Sequence, residues 1–262
     1  MKDFKQEFDK FLNMVKSGEN FAFTRFSDGE LYMMQNKKAY IRPNEVFIRG
    51  APHPGSWGPE ELKEFNPETD QFYREKLIEC FKFTKENYFK GICFSEDVGK
   101  EDYEWQFEML GSDSTWITWS NLLINGNYAD FIERMVPEFV NKPIVYICNE
   151  IANVDKLPFD VKKDFRIGQN CHVNDYPLIE TVKDWMMCNN INDHIFLFSA
   201  ASLSNYMIHD LYKENSNNTY LDIGSTLNPL MDMTGWLGSR QYLRGYWLKE
   251  NNPYINMIGK WG

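Results

Sequence analysis

The stretch RFSDGE, Arg25 to Glu30, sets two carboxylates, Asp28 and Glu30, on either side of Gly29, directly after a short apolar run from Phe21 to Phe26. Oxygens at that spacing in a turn can converge on one hard divalent cation, Mg²⁺ or Mn²⁺, and such a cation can bridge a diphosphate. Arg25, at the end of the same run, is either an ion-pair partner of the acids or a phosphate ligand. The same letters also fit a helix start, with Asp28 capping a helix that begins at Gly29 or Glu30 and Arg25 neutralising one acid.

Four further stretches carry chemistry of a related kind. In FLFSAASLSN an apolar run ends at Ser199, and small residues lead to a helix beginning near Ser202, whose unpaired amides suit a phosphate; an ordinary serine cap explains the letters equally well. In YLDIGSTLNP, Asp222 closes another apolar run and Gly224 begins the turn, a place where a carboxylate takes hydrogen bonds from a ribose or steadies the turn itself. GSRQYLRGYW concentrates positive charge at Arg240 and Arg244, as a phosphate clamp or as paired surface arginines. Beyond PIVYICNE, Glu150 is a candidate general base for an acceptor hydroxyl, or a solvated loop residue. Of the four histidines only His53, in a stretch rich in turn formers, is kept as a catalytic candidate, since none shows paired metal-ligand spacing.

Positioning these residues requires strands that end together. From Pro143 onward apolar runs alternate with helical segments: PIVYICNE, FRIGQN, PLIETVKDWMMCNN, HIFLFSA, SLSNYMIHDLYKENS, TYLDIG. That alternation predicts an α/β, Rossmann-like fold with a mostly parallel sheet and helices on both faces. Ligands of such sheets bind beyond the carboxyl ends of the strands, a rule that selects the five stretches above. Upstream, Phe4, Phe8, Phe11, Leu12 and Val15 predict an amphipathic first helix ended near Gly18, and Pro67 to Tyr88 a second. Gly91 to Ser95 reads as a short strand. Tyr40 to Pro59 reads as a long loop, and residues 101–138 as mostly helical.

Composition bounds the partners. The chain has 262 residues, 43% hydrophobic and 16% aromatic, which supports one elaborated domain, residues 1–262, with an N-terminal helix and an Arg/Tyr-rich C-terminal extension. A formal charge of −10 disfavours capture of bulk nucleic acid, although a nucleic-acid acceptor stays open, and a bound phosphate would need placed cations. The five cysteines show no CxxC pairing and read as reduced core thiols. No stretch is long and apolar enough to span a bilayer, and the N-terminus lacks a signal-peptide run, so a cytoplasmic location is expected.

RFSDGE after the first strand, followed far downstream by FLFSAASLSNYMIHDLY and YLDIG, resembles the bacterial glycosyltransferases of the GT-D fold, over about Phe21 to Arg244. The resemblance implies a UDP-sugar donor, with Asp28 and Glu30 as a DxE motif serving Mn²⁺ or Mg²⁺ and the diphosphate. It implies Arg25 as the preceding arginine and Asp222 to Gly224 as the late strand-end motif. The chain departs from that pattern at Ser27, where glycine is usual, and at Ser199 and Ala200, where Gly-Pro is expected.

The expected function is metal-dependent transfer of a sugar from a nucleotide sugar, a UDP-sugar by the resemblance, to a hydroxyl acceptor on a glycan, a glycopeptide or another molecule. Asp28, Glu30 and Glu150 are the catalytic candidates. Arg25, Gly29, Ser199, Ser202, Asp222, Gly224 and Arg240 are the nucleotide-side candidates. Two other readings fit parts of the same sequence: a nucleotide- or glycan-binding protein without catalysis, and a methyltransferase, because LDIG resembles the strand-end motif of S-adenosylmethionine binders.

Overall fold

The computed structural model of the chain describes residues 3–42, 45–48, 51–52, 62–111, 115–231 and 233, and the structural statements below concern those residues. His53 and the candidates Arg240 and Arg244, with the C-terminal extension, lie outside them.

Eleven strands are described: β1 Ala22–Arg25, β2 Ala39–Arg42, β3 Glu45–Ile48, β4 Ala51–Pro52, β5 Lys63–Phe65, β6 Tyr88–Ile92, β7 Ile117–Trp119, β8 Ile144–Asn149, β9 Val161–Ile167, β10 Ile195–Phe198 and β11 Thr219–Asp222. The helices are α1 Phe4–Ser17, α2 Asp28–Met34, α3 Gln71–Lys82, α4 Ser95–Val98, α5 Lys100–Leu110, α6 Tyr128–Asp130, α7 Cys171–Asn174, α8 Leu178–Cys188 and α9 Ala201–Glu214. Seven strands form one sheet in the order β7-β6-β1-β11-β10-β8-β9, every neighbouring pair parallel.

Alternation along the strands divides the core between the two faces. Phe23, Ile195, Leu197 and Leu221 pack against Phe8, Phe11 and Leu12 of α1 and against the helical turns of residues 125–139. Their neighbours Ala22, Phe196, Phe198 and Tyr220 face Leu77 and Phe81 of α3, Met186 of α8, and Leu203, Met207 and Leu211 of α9. Both faces are therefore covered, which is why β1, β10 and β11 are buried at every residue.

The loop expected from Tyr40 to Pro59 instead carries three of the four strands of a second, antiparallel sheet, ordered β4-β3-β2-β5. Its short strands are joined by side chains as well as by ladder bonds: Tyr40 stacks on Phe47 at 5.4 Å, the Tyr40 hydroxyl donates to Glu45, and Arg42 pairs with Glu64 at 2.6 Å. The expected helix up to Tyr88 ends at Lys82, and Asn87, with φ at +58°, turns the chain so that Tyr88 opens β6. Residues 101–138 also contain β7, an edge strand only three residues long.

β1 is the pivot of the large sheet. From it the chain runs outward through β6 to β7, whereas its other neighbour, β11, arrives last from the half that begins at β8. Strand order reverses there, so the carboxyl ends of β1, β11, β10 and β8 border one crevice.

Candidate functional site

A cleft of about 420 Å³ opens at those strand ends. It gathers Arg25, Asp28, Gly29, Glu30, Ser199, Asp222 and Gly224, all expected from sequence, and adds Lys63, His172 and Asn228. Glu150 stands exposed after β8, outside the cleft lining; its Oε1 lies 4.0 Å from where a Cβ on Gly168 would sit.

The α2 corner is built first by local sequence. Glu30 Oε2 accepts the Ser27 N–H at 3.2 Å, so Glu30 caps its own helix start, and Asp28 Oδ1 accepts the Gly29 N–H at 2.9 Å. Distant elements complete it. Lys63 Nζ from β5 lies 2.8 Å from Glu30 Oε1, and the Ser202 hydroxyl from α9 donates to the same oxygen at 2.6 Å. Burial acts to raise the Glu30 carboxyl, but the Lys63 charge and the hydrogen bonds from Lys63 and Ser202 outweigh it and hold it below its ordinary range. Ser202, expected to face a phosphate, is fully buried beneath the cleft with its hydroxyl committed to Glu30.

Across the cleft, Arg25 and Asp222 make a looser pair, with Nη1 and Oδ1 3.9 Å apart and both residues buried. Arg25 Nε donates to the Ser120 carbonyl at 2.6 Å, which turns the guanidinium away from closer contact with the carboxylate. Asp222 accepts the backbone N–H groups of Arg25 and Gly224, at 3.3 and 3.1 Å. Burial nevertheless pushes the Asp222 carboxyl up to about 7, with Arg25 pulling it down and Glu30 pushing it further up. Gly224 is required twice over: its φ is +54°, and a Cβ there would lie 2.0 Å from Arg25 Nη1.

Ser199 joins the corners. Its hydroxyl donates to the Gly224 carbonyl at 2.5 Å and lies 2.8 Å from the Tyr146 hydroxyl, which donates to it. The turn then bends sharply, with Ala201 in the left-handed region at φ +44°. On α9, one turn past Ser202, Asn205 donates to Thr24 Oγ1 at 2.9 Å and to the Arg25 carbonyl at 2.8 Å, so a single helix face supports both α2 and the end of β1. That polar pair three residues apart on a buried helix was the signal available in sequence for Asn205.

Asp97, after β6, was not singled out from sequence either. Burial first, then the charge of Asp28, raises its carboxyl, and Asn121 donates to it at 3.0 Å. His172 is buried and its pKa is depressed to about 3 by burial and the neighbouring Lys63 charge, so it is neutral at physiological pH.

These residues do not fit a divalent cation shared by Asp28 and Glu30. An ammonium already contacts Glu30 Oε1, and its other oxygen holds the Ser27 amide. Among the described residues no group of three or more His, Cys, Asp or Glu side chains could hold a metal ion. Cys80, Cys93, Cys148 and Cys171 are buried free thiols and Cys188 is an exposed one. No described helix is long and apolar enough to cross a membrane.

No family model matches the chain, and no curated protein does. Two solved structures share its fold. One is a selenomethionine-substituted domain of unknown function 1792; the other is described as that highly conserved domain with a distinct glycosyltransferase fold. Each is 10% identical, with a TM-score of 0.53, and the alignment covers 93% of this chain and 81% of the other. The chain therefore has an α/β, glycosyltransferase-like fold around its parallel sheet.

Proposed function

We propose that this protein is a glycosyltransferase that moves a sugar from a nucleotide sugar, a UDP-sugar in the first instance, to a hydroxyl acceptor. The observation that carries the reading is the cleft itself: in a glycosyltransferase-like fold, a buried arginine and a carboxylate at the carboxyl ends of the switch-point strands share one cavity with a second cation, Lys63, brought in by β5.

In the reaction the bond from sugar C1 to the diphosphate oxygen breaks, with its electron pair leaving on phosphate. A bond from C1 to the acceptor oxygen forms, and the hydroxyl proton departs to a base or to water. The leaving diphosphate gains a negative charge as this happens, and a fixed cation facing it in a low-dielectric cleft stabilises that change more than water does. Arg25, bonded to the Ser120 carbonyl, paired with Asp222 and packed against Gly224, takes this role. Asp28 lines the cleft wall and in this reading orients sugar or acceptor hydroxyls.

The test is release of nucleoside diphosphate from UDP-, GDP- and TDP-sugars with a panel of glycan, glycopeptide, small-alcohol and nucleic-acid acceptors, comparing the wild type with Asp28→Ala and Arg25→Met. Acceptor-dependent release that falls at least about tenfold in both variants supports the reading. Binding of nucleotide sugar without release across the panel would leave a binding protein in its place, and stabilisation by S-adenosylmethionine alone would point to methyl transfer.

A further inference from the structure

Glu30 is the residue that its sequence setting assigns to a cation, and the cation it holds belongs to the chain. Lys63 Nζ and Glu30 Oε1 are 2.8 Å apart, with 19% and 9% of the two side chains exposed. Two features keep the ammonium in place. The Ser202 hydroxyl and the Ser27 N–H fix the carboxylate that receives it. Gly29 leaves it space, since a Cβ there would lie 3.2 Å from Nζ. An ammonium has three N–H donors and Glu30 takes one of them, while Lys63 lines the same cleft as Arg25 and Asp28.

Resting on the nucleotide-sugar reading, we propose that Lys63 is the built-in cation of this site. Positioned by Glu30, it neutralises the donor diphosphate together with Arg25, in the place where a carboxylate-bound divalent metal would otherwise act. Lys63 stays protonated throughout: it donates hydrogen bonds to phosphate oxygens while the C1–O electron pair leaves on the diphosphate, and no proton moves to or from it. Glu30 is then a positioning residue and not a metal ligand. A metal bridging Glu30 and Asp28 would first have to expel an ammonium at contact distance from a largely desolvated carboxylate.

The experiment is calorimetric binding of UDP, GDP and TDP to the purified protein, in EDTA and again with excess Mn²⁺. In EDTA the wild type is expected to bind at least one of these nucleotides, and Mn²⁺ to change that affinity by less than about threefold. Lys63→Met is expected to weaken binding in EDTA by about tenfold or more, and Lys63→Arg to retain most of it. Because Lys63→Met leaves Glu30 without its counter-ion, the double variant Lys63→Met with Glu30→Gln, checked for a cooperative melt, carries the same comparison without a stranded charge. Wild-type binding that requires Mn²⁺, or unchanged affinity in both methionine variants, would overturn the role of Lys63 and leave the nucleotide-sugar reading standing. Absence of binding to all three nucleotides, with and without Mn²⁺, would overturn both.

Discussion

The Glu30–Lys63 pair and the Arg25–Asp222 pair face the same cleft, yet the first closes to 2.8 Å and the second stands at 3.9 Å. Their carboxyls respond in opposite directions: Glu30 is held below its ordinary range and Asp222 is pushed up to about 7. Burial opposes ionisation of both. What differs is the company each carboxylate keeps. Glu30 receives hydrogen bonds from an ammonium, a hydroxyl and an amide, whereas Asp222 receives them from two amides alone, with the Arg25 guanidinium 3.9 Å away and its Nε directed to the Ser120 carbonyl. Distance and donor number, rather than the presence of a counter-ion, decide the sign of the shift.

The largest expected effect tests the looser pair. Arg25→Ala removes the group packed against Gly224 and the charge that favours ionisation of the buried Asp222 carboxyl, so at pH 8 it should cost about 3 kcal/mol or more in urea unfolding. Adding Asp222→Asn should recover a substantial part of that loss. A cost under about 1 kcal/mol for Arg25→Ala would mean that Asp222 does not depend on its partner, and the comparison would fail.

A pair of pH series sharpens the contrast. Glu30 has a lowered folded pKa, so its contribution is present above its unfolded value and disappears as pH falls through the folded one. Glu30→Gln should therefore cost about 1.5–3 kcal/mol at pH 7 and progressively less in acid. Asp222 runs the other way. Its folded pKa of about 7 exceeds the ordinary 3.8, so between these values the folded state binds the proton that the unfolded state has released, and wild-type stability falls as pH rises. The stability of Asp222→Asn relative to wild type should climb across that window. Parallel curves for the two variants would show that the two carboxyls are held alike.

The contrast also explains how much of this molecule was legible beforehand. β8, β10 and β11 were visible because each is a buried apolar run between turn formers, and the strand-end rule then placed Arg25, Asp28, Glu30, Ser199 and Asp222 around one cleft. The small sheet was not visible: its strands have two to four residues, and the pairing that stabilises them is non-local. Lys63 was hidden with it. Ser27 to Glu30 announces a capped helix and two acids, but the counter-ion of Glu30 comes from 33 residues away and its hydroxyl partner from 172. Local spacing shows that a carboxylate needs a cation and leaves its source undetermined.

The smallest expected effect lies on the turn between the two pairs. Ser199 bonds to Gly224 on the Arg25 side and Ser202 to Glu30 on the other, so the sharp bend at Ala201 holds the corners at a fixed separation. An alanine at φ +44° carries strain of order 1 kcal/mol that glycine relieves, while glycine also adds freedom to the unfolded chain. The first effect exceeds the second where the native φ is left-handed, so Ala201→Gly should raise the thermal midpoint by about 2 °C. A lower midpoint would place the restraint elsewhere, in the bonds from Asn205 to Thr24 and Arg25, and would make α9 rather than the bend the element that sets one pair against the other.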